Sequence, residues 1–154
     1  MSTFADPASG ASGARILTAS AIYFAIVFAV GLILGPIRVL WIEPWLGATL
    51  AVLCEAPLLA MAMALAARLA PRLAGLGGGW AARLTMGALA LAMQQIADLS
   101  VGFGLRGLTL QAQLAYFQTP PGYIYIATLV LFAVMPLLVY WRSARRLAAP
   151  TQAP

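Results

Sequence analysis

Only four residues of this chain carry negative charge, Asp6, Glu43, Glu55 and Asp98, and two of them, Glu55 and Asp98, stand inside long apolar stretches. A carboxylate in hydrocarbon is costly to keep, so its presence marks either a binding function or a packed polar network. Gln94 precedes Asp98 by four residues and Gly102 follows it by four, which puts a polar stripe on one helix face. Arg38 and Arg106 follow the first and third apolar stretches, where long side chains can reach back inward. Glu43 shares the segment that carries Arg38. The candidate network is therefore Glu55, Asp98, Gln94, Arg38, Arg106 and Glu43. Two chemistries fit it. In one, a small polar cavity opens to the outer side, one carboxylate binds and releases protons, and an arginine keeps the other ionised or holds an anionic group. In the other, arginine and carboxylates form a static network that sets helix packing and register.

The residue inventory closes off most other chemistry. The chain has no histidine, which removes the usual haem, zinc and copper ligand sets and any Ser-His dyad. All nine cations are arginine, so no lysine is available for a Schiff base. The single cysteine, Cys54, forms no internal disulfide and no metal site, and reads as a small buried hydrophobe. No metal and no cofactor is expected. Glu55 and Asp98 do not match the paired aspartates of an intramembrane aspartyl protease. The glycines of segment 75–79 lack the Lys-Ser/Thr of a phosphate loop and read as a hinge. Met61 and Met63 read as lipid-facing or packing residues.

The elements that must position these residues follow from composition. The 154 residues are 63% hydrophobic and 8% charged, and the mean hydropathy is +0.93. Soluble domains carry about 25% charged residues. Four apolar stretches, about 16–35, 46–67, 84–105 and 123–141, each approach the roughly 20 residues that cross a bilayer as helix. The expected fold is an all-α integral membrane bundle of four transmembrane helices over 16–147. It is flanked by a disordered tail over 1–15, rich in Ser, Ala and Gly, and a short tail over 148–154.

Gly31 and Gly35 form a small-xxx-small pattern suited to close helix approach, and Pro36 ends or kinks the first helix. Pro57 and Pro136 sit within spans, which requires side chains or neighbouring helices to satisfy the carbonyls they free. Leu108, Leu110, Leu114 and Phe117 suggest a short amphipathic helix lying in the interface. At 1.5 Å per residue, Glu55 and Asp98 both lie roughly 10–14 Å below the outer boundary, at one level.

Arginine placement sets the expected orientation. Arg15, Arg68, Arg72, Arg83, Arg142, Arg145 and Arg146 fall on one side, and Arg38 and Arg106 on the other. The positive-inside rule then places both termini in the cytoplasm, with Trp41 and Trp45 at the outer interface and Trp80 and Trp141 at the inner one. No basic run is interleaved with aromatics in a polar segment, so nucleic acid is not an expected partner. The lipid bilayer is.

The segment Gly35-Pro-Ile-Arg-Val-Leu-Trp-Ile-Glu-Pro-Trp-Leu-Gly47, followed by Glu55-Ala-Pro57, resembles a group of small four-helix inner-membrane proteins of proteobacteria. Leu105-Arg-Gly-Leu-Thr109 and Phe132-Ala-Val-Met-Pro-Leu-Leu138 resemble the same group, and the likeness covers most of residues 16–140. The resemblance implies a multi-pass protein of the bacterial inner membrane. It implies no substrate and no site residues, because the group has no assigned activity.

The function expected from sequence is therefore that of a non-enzymatic accessory or assembly subunit of a larger membrane complex. The alternative is a small proton-coupled transporter or channel, as monomer or homo-oligomer, using the intramembrane carboxylates. A lipid-handling enzyme is a third reading, weakened by the lack of a base to activate a nucleophile.

Overall fold

The computed structural model describes residues 13–105, 107 and 109–148. Among these, all regular structure is helical: α1 (Gly13–Ile37), α2 (Glu43–Leu73), α3 (Trp80–Ser100), α4 (Leu110–Tyr116) and α5 (Pro120–Ala148). Two π-helical turns, Arg38–Ile42 and Val101–Leu105, follow α1 and α3. Three continuous stretches, Gly13–Leu73, Trp80–Gly104 and Pro120–Arg146, are long and apolar enough to cross a membrane. The tail expected over 1–15 lies outside the described residues as far as residue 12, and 13–15 are already helical. Of the C-terminal tail, only residue 148 is described, as the end of α5.

The first stretch is folded back on itself. Gly47 holds φ 76° and ψ 162°, outside the helical region and open to glycine without strain. Arg38 and Glu55 flank it and form an ion pair at 2.8 Å. An unbroken helix would separate two residues seventeen apart by about 25 Å, so α2 runs back along α1. Pro36 does not end α1; the helix continues to Ile37, and the wider π turn comes immediately after the proline's missing N–H.

The α2–α3 connection is a Schellman stop. The Leu76 N–H donates to the Pro71 carbonyl at 2.8 Å and the Gly75 N–H to the Arg72 carbonyl at 3.2 Å, with Gly75 at φ 59°. Leu76, just past the stop, is buried in the core. Arg15 and Arg83 brace this corner from two other helices, donating to the carbonyls of Gly75 and Leu76.

Packing runs in the ring α1–α2–α5–α3, with α1 also against α3. The core is rich in small residues, Ala19, Ala66, Ala67, Ala70 and Ala90 among them, with Tyr23, Met63, Met86 and Phe132 filling between. Small contact residues let helix backbones approach closely. Hydroxyls are satisfied within their own helices: Thr18, Ser20, Thr85, Ser100, Thr128 and Ser143 each donate to the carbonyl four residues back. Cys54 is exposed on the surface of α2, so its reading as a buried residue is corrected. Met61 is exposed, whereas Met63 lies in the core.

Pro136 shows how an intrahelical proline is accommodated. It lacks the N–H that would bond the carbonyl of Phe132, four residues back. The buried Tyr23 hydroxyl of α1 donates to that same carbonyl at 2.8 Å, while its ring stacks on Phe132 at 4.6 Å between centroids. Tyr23→Phe keeps the stack and orphans the carbonyl, at an expected cost of about 1–3 kcal/mol. Pro136→Ala restores the N–H, so the double variant should be less destabilised than Tyr23→Phe alone. A strictly additive double variant in thermal melts would mean that the proline and the hydroxyl are not linked.

Candidate functional site

Near the end of the bundle that carries both π turns, α1, α2, α3 and α5 enclose a cavity of about 300 Å³. Gly31 and Gly35 of α1 line it, and a Cβ built on either would meet no atom within 4 Å. The small-xxx-small pattern therefore faces open space here instead of a packed neighbour.

One wall carries Arg38 and Glu55. The Arg38 Nε lies 2.8 Å from Glu55 Oε2, and its Nη1 lies 3.5 Å from Glu43 Oε2. The Nε–H is not aimed along the shorter contact in hydrogen-bond geometry, so this pair is held chiefly by charge. The side chains of Arg38 and Glu55 keep 21% and 13% of their exposure, and that of Glu43 keeps 35%. Arg38 thus bridges a mostly buried acid and one nearer the rim.

The other wall carries Asp98, bound by neutral donors alone among the described residues. Gln94 Nε2 donates to Asp98 Oδ1 at 2.8 Å, from one turn earlier on α3. The Tyr125 hydroxyl of α5 donates to the other oxygen, Oδ2. Tyr125 in turn packs against Phe117 at 6.1 Å and Tyr116 at 6.3 Å between ring centroids, which ties α4 to the site. Thr109 caps α4 by accepting from the Ala112 N–H at 3.2 Å, leaving Leu110 and Leu114 exposed. Leu108 lies outside the described residues.

Of the six residues singled out from sequence, Arg38, Glu55, Gln94 and Asp98 all line this one cavity. Glu43 joins through Arg38, and Arg106 lies outside the described residues. Tyr125, Thr128 and Phe132 were missed. Their spacing, continued by Met135, follows one face of α5, and that periodicity is a signal the sequence does carry. What distinguishes Tyr125 from its neighbour Tyr123 is which of them points inward, and composition does not reveal that.

The arrangement gives two carboxylates in one enclosure, one neutralised by an arginine and the other held by two neutral hydrogen bonds. Such a space can admit a proton, a cation or a zwitterion. It lacks an activated nucleophile and a metal-binding set among the described residues. Comparison with protein-family models, with curated proteins and with solved structures finds no match to this chain.

Proposed function

We propose that this chain is a four-crossing integral protein of the bacterial inner membrane, with both termini cytoplasmic, that binds small organic cations in exchange for protons. It works as a carrier and not as an enzyme. The observation that carries this reading is the unequal treatment of the two carboxylates: Glu55 has Arg38 as counter-charge, whereas among the described residues Asp98 faces the same cavity with Gln94 and Tyr125 as its partners. An ionised carboxylate in a bundle needs a positive partner, and a proton or a cationic solute meets that need at Asp98. The four-crossing count is supported by the fold-back at Gly47, which divides the first apolar stretch into two limbs. The arginine bias supports the orientation, and the exposed apolar residues of α4 suit an interfacial position.

The test is uptake of a small quaternary ammonium dye into proteoliposomes under an imposed pH gradient. Wild type should take up dye only while the gradient lasts. Asp98→Asn should reduce uptake at least about tenfold, the equivalent of 1.4 kcal/mol at the site, while melting within a few degrees of wild type. If wild type shows no gradient-dependent uptake and is recovered in mild detergent with a stoichiometric protein partner, the carrier reading fails. The assembly-subunit reading then takes its place.

A further inference from the structure

We propose that a second cleft, bordered by Arg68, Arg72, Arg83, Tyr140 and Ser143, is a binding site for a phosphate-bearing anion. It has a volume of about 170 Å³ and lies between α2, α3 and α5. Arg68 and Arg83 are thirteen and fifteen residues from Glu55 and Asp98 on the same helices, so it sits roughly 20 Å from the carboxylate cavity. Its floor is apolar, formed by Ala67, Pro71 and Pro136 among others.

Three guanidinium groups converge here with no ion-pair partner among the described residues. The described acids, Glu43, Glu55 and Asp98, all belong to the other end of the bundle. Arg68 and Arg72 lie four residues apart on one helix face, where like charges repel. Arg83 is in the first turn of α3, the end at which the helix dipole disfavours a cation. The dipole alone therefore accounts for Arg72, in the last turn of α2, but not for Arg83.

Arg83 is also fixed in place. Its Nη2 donates to the Leu76 carbonyl at 3.2 Å, and its Nε is buried with no acceptor among the described residues. A guanidinium held at a wall by one backbone bond keeps further Nη hydrogens free, and these are charge-assisted donors suited to phosphate oxygens. At about 30 Å³ per water, the cleft has room for a phosphate group and its ester oxygens. An anionic lipid head group and free phosphate share this chemistry. Basic pockets between membrane helices hold lipid head groups in this manner.

The experiment uses the full chain in neutral detergent and reads its thermal midpoint with added phosphatidylglycerol, phosphatidylcholine or inorganic phosphate. Phosphatidylglycerol should raise the midpoint by on the order of 5 °C, and phosphatidylcholine should not. Arg68 and Arg72 are exposed, so R68Q/R72Q should fold normally and lose most of the shift. R142Q/R145Q, which removes exposed charges of α5 that do not line the cleft, should keep it. An equal shift with inorganic phosphate would assign the soluble ion as ligand at the same site. No shift with any anion, or equal loss in both double variants, would overturn the proposal. R83Q serves as a second check, with a lower starting midpoint and no response to phosphatidylglycerol.

Discussion

Arg38→Met is expected to destabilise the protein by about 3 kcal/mol, at the lower end of the range for breaking a buried pair because the arginine keeps part of its exposure. The cost comes from the partner left behind. Glu55 keeps only 13% side-chain exposure and, among the described residues, its one close cation is Arg38, so the substitution strands a carboxylate in an apolar wall. Glu43 loses the same cation, but at 3.5 Å and with 35% exposure it is compensated by water at the rim. The asymmetry gives the prediction its test. R38M/E55M replaces the pair by hydrophobic groups of similar length and should recover most of the loss, because buried pairs exchange for apolar isosteres at little cost. Thermal aggregation in mild detergent is a suitable readout. If R38M melts no lower than E43Q, the pair supplies no compensation and Glu55 is neutral in the folded state.

Much of this architecture is legible in the sequence, and the reason is that hydropathy is a one-dimensional signal. Residues 16–37 and 123–141 carry no charge, and a stretch of that kind placed in lipid has to be helical, since every backbone group there would need an internal partner. The carboxylate network was partly legible for the same reason: Glu55 and Asp98 stand out against apolar surroundings, and Gln94 follows from helix spacing. Contacts made by residues common in membrane helices were not legible. Tyr125 looks like an interfacial aromatic until α5 is rotated into place. The requirement that something satisfy the Phe132 carbonyl follows from Pro136 alone, but the donor, Tyr23, is 109 residues distant in sequence. The glycine pattern at 31 and 35 suits a packing motif, yet it borders a cavity, because the pattern specifies a smooth face and says nothing of what lies opposite.

Gly87 is where a glycine is required for packing, and Gly87→Ala is expected to cost about 1–3 kcal/mol, the range for overpacking a tight core. A Cβ at this position would run into the carbonyl oxygen and carbon of Ala133 on α5. Those are backbone atoms of a packed helix and cannot rotate aside, so α3 and α5 would have to separate along one of the main contacts of the bundle. Gly87→Leu should be worse, with loss of a well-folded monodisperse species in detergent. Gly31→Ala and Gly35→Ala provide the contrast. Both meet open space, and replacing glycine by alanine inside a helix gains roughly 0.5–1 kcal/mol from propensity. Alanine at 87 should therefore lower the melting midpoint, and alanine at 31 or 35 should leave it unchanged or raise it. Equal effects at all three positions would mean that α3 and α5 are not in backbone contact at this level. Opposite signs would locate the closest helix approach at Gly87 and leave the Gly31 and Gly35 face free to border the cavity.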